Sequence, residues 1–379
     1  MEAFAGRYVL IDLVGTGGMG SVWRAWDLRR KGYVAAKVLG QHDAATLLRF
    51  VREQSLRIEH PHVVAPHGWA ADDDKVVFAM DLVRGGSVAT LLGDHGPLPA
   101  SYVAVLIDQL LHGLSAVHAA GIVHRDLKPA NLLLDATGTA TPRLRLSDFG
   151  IAGLVGEPRM TRHSTILGTP GYIAPEQLAG ADPDPRQDLY TVGAVAAELL
   201  TGERPGINGD LPTGEADNPL WDLIRLLTME DPENRPASAA AAGRLLAQTT
   251  LIPPPTTTPW TTNPDPPEVF NQLPPLPPPW TPTGPTPPQA KQTPAFAPPV
   301  EAPSVGPAGP SGGQAHAVAP AEAAGQVPAV GSGGSAAGQA SAVAPTGGGG
   351  GRGLVWVAVG SFGGAAGLLG VAVWLLLRG

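Results

Sequence analysis

The residues of this chain that could do chemistry fall in five short runs. In His124-Arg125-Asp126-Leu127-Lys128-Pro129-Ala130-Asn131, an aspartate and an asparagine stand five residues apart. Such an aspartate can accept the proton of an incoming hydroxyl, and such an asparagine can ligate Mg²⁺ across a short loop. Asp148-Phe149-Gly150 ends the run Leu144-Arg145-Leu146-Ser147, which places a carboxylate where it can hold Mg²⁺ against phosphate oxygens. Gly15, Gly17 and Gly20, in Gly15-Thr16-Gly17-Gly18-Met19-Gly20-Ser21-Val22, make a turn poor in side chains. Its backbone N–H groups can approach phosphate oxygens closely. Lys37 interrupts the apolar run Val34-Ala35-Ala36-Lys37-Val38, where an ammonium is costly without a partner. Either it snorkels at a strand edge, or it faces phosphates while a carboxylate holds it; Glu53, in the helical stretch 47–53, is the nearest candidate. Gly168-Thr169-Pro170-Gly171-Tyr172-Ile173-Ala174-Pro175-Glu176 closes the set.

The elements that must position these groups follow from hydrophobic periodicity. Strand-like runs occur at 8–11, 34–39 and 76–80, and helical patterns at 101–120, 189–200 and 220–227. Strands first and helices afterwards predict an α+β layout with two unequal lobes. The glycine turn lies between two strand-like runs. A dinucleotide site would need a helix after the turn and a parallel sheet, and neither pattern is present. Taken alone, the turn reads as a bare hairpin.

Composition divides the 379 residues into three zones. Residues 1–248 alternate apolar and polar segments as a folded domain does. Residues 249–352 are rich in proline, then in alanine and glycine, with little charge and few large apolar side chains. That composition predicts a disordered linker, with an average reach of ~50–60 Å for a flexible coil of about 100 residues. Pro-Trp-Thr occurs in it twice, at 259–261 and 279–281, and reads as part of the linker. Residues 353–377 carry no charge and are bracketed by Arg352 and Arg378. About 20 apolar residues cross a bilayer core, so this stretch predicts a transmembrane helix, leaving 378–379 beyond it. The formal net charge of −8 argues against nucleic acid as the main partner. There is no cysteine, which excludes disulfide scaffolds, thiol nucleophiles and cysteine-ligated zinc. The N-terminus shows no signal-peptide pattern. His60, His62, His112, His118 and His124 read as packing or hydrogen-bonding residues rather than metal ligands.

In this joint order the motifs resemble the eukaryotic-like (Hanks-type) serine/threonine protein kinases of bacteria, over residues from about 8 to 247. The Ala/Gly/Pro bias resembles chains of GC-rich actinobacteria. The resemblance implies a two-lobed α+β fold: an antiparallel sheet plus one helix over 1–80, a hinge at 81–83, and a mostly helical lobe over 84–248. It implies ATP with Mg²⁺, or Mn²⁺ in its place, and protein serine and threonine hydroxyls as acceptors. Gly15, Gly17 and Gly20 would cover the phosphates. Lys37 would contact the α- and β-phosphates and pair with Glu53. Val22, Ala35, the gatekeeper Met80 and the hinge residues Asp81 and Val83 would enclose the adenine. Asp126 would be the base, Lys128 would steady the γ-phosphate, and Asn131 and Asp148 would ligate Mg²⁺. Thr169 would hydrogen-bond the base and Lys128, the arrangement of hydroxyl-amino-acid kinases. Glu176 would pair with Arg235, and Asp188 would brace the catalytic loop.

Arg125 directly before Asp126 implies a switch by phosphorylation, because a phosphate accepts bidentate hydrogen bonds from an arginine. Thr161, Ser164 and Thr165 are the candidate acceptors. Two departures from the family pattern stand out. The interval from Glu53 to His60-Pro61 is about two residues short, and the segment between Pro205 and Leu220 is brief. Competing readings are a pseudokinase, a small-molecule phosphotransferase of related fold, and a membrane scaffold acting through the proline-rich stretch. Because ATP is cytosolic, residues 1–352 are expected on the cytoplasmic side of the cell membrane, as a single-pass protein. Gly360 and Gly364, like Gly363 and Gly367, share a helix face, a spacing that allows close helix approach and a homodimer through the anchor; a homodimer through the kinase domain is the other arrangement.

Overall fold

Strands whose side chains alternate between two faces build the first lobe. The computed structural model describes residues 2–17, 20–40, 58–72, 75–148, 168–214 and 218–286. Strands β1 (Tyr8–Gly17), β2 (Gly20–Asp27), β3 (Gly32–Gly40), β4 (Gly68–Asp72) and β5 (Lys75–Asp81) form one antiparallel sheet in the order β1-β2-β3-β5-β4. Val34 and Ala36 of β3 and Val77 and Ala79 of β5 join Tyr8 and Ala25 in a small core on one face. Leu39, Val76 and Phe78 alternate to the other face and join the main core.

The second lobe is helical. Helix α1 (Val88–His95) is capped by Ser87, whose hydroxyl accepts the Thr90 N–H. Helix α2 (Ala100–Ala119) is apolar nearly all round because it is the central core helix. It is long and apolar enough to cross a membrane, but its Val103, Leu106, Leu110 and Leu114 are buried within this lobe. A short hairpin, β6 (Leu132–Leu134) and β7 (Leu144–Leu146), lies against α2. A short helix α3 (Pro175–Leu178), then α4 (Pro185–Thr201), α5 (Leu220–Leu227) and α6 (Ala239–Gln248), completes the lobe. The α+β, two-lobed expectation agrees with this architecture.

Two carboxylates with buried partners fix the lobe. Arg235, whose side chain is fully buried, forms a bidentate pair with Glu176 at 2.7 and 2.9 Å. Its guanidinium also donates to the carbonyls of Met229, Arg186 and Glu230. Asp188, in the first turn of α4, has no exposed surface. Its Oδ2 accepts the His124 N–H and the His118 Nε2–H, both at 2.8 Å, and its Oδ1 accepts the Arg125 N–H at 2.8 Å. Burial alone would push this carboxyl up; the His118 hydrogen bond, the nearby imidazoles and the Arg125 N–H outweigh it and hold it below the ordinary carboxylate value.

After α6 the chain stays on the domain, contrary to the expectation of a linker from residue 249. Residues 249–286 lie along both lobes, with Trp260, Val269 and Trp280 buried. Ala/Gly/Pro composition cannot build a core of its own, but a few large side chains can dock into one that exists. Proline also limits the conformational freedom lost on ordering. Residues 353–377, which carry the membrane expectation, lie outside the described residues.

Glu176→Ala is expected to cost about 3–5 kcal/mol by stranding the buried Arg235 charge. In thermal unfolding this should appear as a fall in Tm of roughly 6–15 °C. Acid should act on the catalytic loop. His124 is fully buried, and burial pushes its imidazole down. Unfolded histidine titrates near ~6.5, so below that pH the unfolded state binds the extra proton and stability falls. The Asp188 contribution is complete above the ordinary carboxylate value of ~3.9 and is lost as pH falls through its lower folded value. Burial pushes His60, His62 and His67 down as well, so the test is a difference. Between pH 7 and 5 the Tm of His124→Gln should fall less than that of the unaltered chain.

Candidate active site

The register of the sheet gathers the first set of groups. Val22 of β2 stands opposite Lys37 of β3, and Lys37 stands opposite Phe78 of β5. Ala35, two residues earlier and so on the same face, stands opposite Met80. Gly15 pairs with Val22, and Gly17 with Gly20. The glycine turn is therefore a hairpin between antiparallel strands at the end of the face that carries Lys37. Gly20 has φ +143°, and a Cβ there would lie 2.3 Å from the Val38 carbonyl oxygen, so no other residue fits this approach of β2 to β3.

The second set comes from the loop between α2 and β6. Asp126 is held from three sides. Its Oδ1 accepts the Thr169 hydroxyl at 2.8 Å. Its Oδ2 accepts the Lys128 ammonium at 2.9 Å and the Asn131 amide at 3.2 Å. Lys128 also donates to Thr169 Oγ1 at 2.9 Å, closing a triangle of three side chains. The Asp126 side chain is still one-third exposed, at 32 %, so a hydroxyl can reach it. Asn131 Nδ2 donates to the Asp126 carbonyl at 2.7 Å, which turns its Oδ1 away from the loop.

The β6–β7 hairpin supplies the last group. Leu132 pairs with Leu146, so the chain before β6 and the chain after β7 emerge at the same end. The Ser147 N–H and hydroxyl both donate to the Asn131 carbonyl at 2.9 Å. Asn131 and Asp148 are thereby set side by side, a pair of oxygen donors of the kind a hard divalent cation accepts. Asp148 accepts the Lys37 ammonium at 2.6 Å, so the cation of the sheet and the carboxylate of the hairpin meet across the cleft. Among the described residues this is the partner of Lys37; Glu53 lies outside them, as do Thr161, Ser164 and Thr165.

Two site residues have left-handed backbone without being glycine: Arg125 at φ 62° and Asp148 at φ 54°. Each such conformation costs on the order of 1–3 kcal/mol and persists only when its surroundings impose it. For Arg125 the imposing contact is Asp188 against its N–H. His124 is fixed in one tautomer: its Nε2–H donates to the Ser147 carbonyl at 3.0 Å, while its Nδ1 accepts the Asp126 N–H at 3.3 Å. A neutral ring, favoured by burial, satisfies both bonds and is too enclosed to act as an acid or base. The following loop is tied down by Tyr172, whose hydroxyl donates to Glu198 at 2.6 Å and whose carbonyl accepts the Thr191 hydroxyl at 2.8 Å. At the edge of the cleft, Asp81 accepts Arg145 at 2.8 Å, and Val83 follows as irregular chain leading to α1.

The sequence reading brings together Lys37, Asp126, Lys128, Asn131, Asp148 and Thr169, and the structure places all six around one cleft. His118, read as a packing or hydrogen-bonding residue, does hydrogen-bond, and the sequence did not show that its partner is Asp188; Ser147 and the meeting of Lys37 with Asp148 were missed.

Comparison with known proteins agrees with this geometry. The protein kinase domain family matches residues 8–248, from the first residue of β1 to the last of α6. The chain is 35% identical over 268 residues to the serine/threonine-protein kinase PkaA of Streptomyces coelicolor, covering 63% of this chain and 49% of that protein. It is 41% identical over 209 residues to PkaB of the same organism, covering 52% and 49%. To PknL of Mycobacterium tuberculosis it is 33% identical over 255 residues, covering 62% and 63%. The matches thus span about half to three-fifths of these relatives. With the family match running over more than half of the sequence and both lobes, this chain belongs to the protein kinase domain family.

Proposed function

We propose that this chain transfers the γ-phosphoryl group of ATP to serine and threonine hydroxyls of proteins. The observation that carries this reading is the Asp126–Lys128–Thr169 triangle, set beside the Asn131 and Asp148 oxygen donors. In the transfer, the acceptor oxygen forms a bond to the γ-phosphorus as the bond from that phosphorus to the β–γ bridging oxygen breaks, and ADP leaves. Asp126 orients the acceptor hydroxyl and takes its proton. Lys128, anchored by both Asp126 and Thr169, offsets the charge on the transferring group. Lys37 holds the α- and β-phosphates, and the hairpin of Gly15, Gly17 and Gly20 covers them. Val22, Ala35 and Met80 share one sheet face and form an apolar wall for the adenine, with backbone groups at Asp81 and Val83 beside it. Asn131 and Asp148 would hold Mg²⁺, or Mn²⁺ in its place; when bound it neutralises phosphate charge.

A protein acceptor is supported by the surface beside Thr169. A shallow hollow there is lined by Pro170, Gly171, Ile173, Leu178 and Ile207, with Leu178 and Ile207 exposed. An extended peptide with an apolar side chain next to its hydroxyl fits such a surface. The names of the relatives, serine/threonine-protein kinases, support the hydroxyl class. Thr161, Ser164 and Thr165 are proposed as autophosphorylation sites, with Arg125 at hand beside Asp126 to bond a phosphate there. The uncharged run 353–377 supports a single-pass anchor in the cell membrane with the catalytic domain on the cytoplasmic side, and its glycine spacing supports pairing of two copies.

Transfer of ³²P from ATP to the chain itself and to a serine-containing basic protein tests the reading. Asp126→Asn should lower the rate about 10²–10⁴-fold, the usual contribution of a positioned base. Wild-type transfer by Asp126→Asn would sink the assignment. Thr169→Ser should retain most activity and Thr169→Ala should not, because the hydroxyl alone joins Asp126 and Lys128. Peptide mapping after incubation with Mg-ATP should find phosphate within 149–167.

A further inference from the structure

Residues 249–286 follow the last residue of the family match, yet they are attached to both lobes. At the C-terminal lobe, Trp260 is 1% exposed, stands edge-on to Tyr102 with ring centroids 5.0 Å apart, and donates its Nε1–H to the Thr139 carbonyl at 3.0 Å. Further along, Val269 exchanges two backbone hydrogen bonds with Gly138, at 2.8 and 2.9 Å. The Gln272 N–H then donates to the Arg84 carbonyl at 2.7 Å, directly after the hinge. Beyond this point the segment is on the other lobe. Arg24 of β2, itself buried and paired with Asp12, donates to the carbonyls of Pro274 and Pro275 at 3.0 and 3.3 Å. Trp280 lies in a cluster with Val9, Trp26 and Tyr33. The Tyr33 hydroxyl donates to the Thr281 carbonyl, and a two-residue hairpin, β8 (Trp280–Thr281) with β9 (Gly284–Pro285), ends the segment against Trp26.

The two Pro-Trp-Thr copies are therefore the two anchors, one per lobe, of a single strap that passes the hinge. The place where it grips β2 matters. Arg24 is directly opposite Ala35 in the register, so the strap is fastened on the sheet face that carries Val22, Ala35 and Lys37. We propose that residues 249–286 are an interlobe brace, and that Trp280 is a positioning residue that sets the nucleotide-facing sheet relative to the helical lobe. A strap fixed at both ends limits rotation of one lobe against the other, and so keeps the lobes in the arrangement that binds ATP. Proline at many positions suits this role, since a stiff strap transmits position where a flexible one would not. The inference rests on the ATP-binding reading above.

The test uses the full chain and measures Mg-ATP affinity directly, with a fluorescent ATP analogue, beside steady-state phosphorylation. Trp280→Ala should raise both Kd and KM for ATP roughly five- to tenfold, as expected if the competent lobe arrangement falls to about a tenth or a fifth of the population. The rate at saturating ATP should change less than about twofold, since a ligand in excess restores that population. Trp280→Phe should recover most of the affinity. Gly284→Ala offers a second route that deletes no core side chain: Gly284 has φ +120°, and a Cβ there would lie 2.8 Å from the Trp26 ring. It should push the hairpin off and raise Kd in the same way. A merely stabilising strap would lower Tm and the active fraction while leaving Kd unchanged, so unchanged Kd in both variants overturns the brace. If the unaltered chain binds ATP but transfers no phosphate, the Kd comparison still decides the brace; if it binds no ATP, the functional reading fails first.

Discussion

Asp188 carries a charge into a place without water, and the catalytic loop is arranged around the hydrogen bonds that this charge requires. A buried carboxylate persists as an anion only when its oxygens are filled by donors. Here the donors are the backbone N–H groups of His124 and Arg125 and the ring of His118. Satisfying Asp188 therefore dictates the path of the chain immediately before Asp126 and holds Arg125 in a left-handed conformation. The orientation of Asp126 follows, and with it the positions of Lys128, Asn131 and Thr169. His124 continues the chain of consequences, because its ring joins the Asp126 backbone to the Ser147 carbonyl. Ser147 in turn grips Asn131, so the catalytic loop and the hairpin end at Asp148 are set by one continuous network.

The opposite wall of the cleft has a different origin. The period of two in antiparallel strands defines it. Once Val34, Ala36, Val77 and Ala79 are committed to the small core, Ala35, Lys37, Phe78 and Met80 must point the other way. Between the two walls the polar ties among the described residues are modest. Lys37 meets Asp148 and Arg145 meets Asp81, but those carboxylates are 46 % and 50 % exposed, and pairs this open are worth ~0–1 kcal/mol each. Burying one large apolar side chain contributes about 1.5–3 kcal/mol. On that comparison Trp280, docked on Trp26 and Tyr33, restrains the lobes at least as much as either ion pair.

Much of this was legible in the sequence because it depends on local pattern. The strands around Lys37, the core helix α2 and the spacing of Asp126 to Asn131 are all written within short windows, and the structure reproduces their positions to within a few residues. What was not legible depends on surfaces that exist only after folding. His118 and Asp188 are 70 residues apart. Composition predicts a disordered linker for the strap because it asks only whether a segment can build a core by itself. Residues 249–286 build none; they add Trp260 to a core made by α2, and Trp280 to a face made by β1, β2 and β3. Repetition of Pro-Trp-Thr in an otherwise small-residue stretch was the available signal, since a tryptophan that only meets solvent serves no packing purpose.

The ends of the strap bear on how the two walls cooperate. The Asp188 network is rigid because its members are buried and mutually satisfied, so the helical lobe offers fixed positions for Asp126, Asn131 and Asp148. Among the described residues the sheet reaches that lobe through the apolar contacts of Leu39, Val76 and Phe78 and through the flexible side chain of Lys37; on the proposed reading Lys37 serves a phosphate by giving up part of its contact with Asp148. On that reading, engagement of phosphate by Lys37 weakens one of the ties that hold the walls together. A second attachment that does not pass through the reacting groups resolves that conflict. The strap has this property: its anchors at Tyr102 and at Trp26 lie outside the set of catalytic and phosphate-facing side chains, so the spacing of the lobes can be held while Lys37 and Asp148 exchange partners.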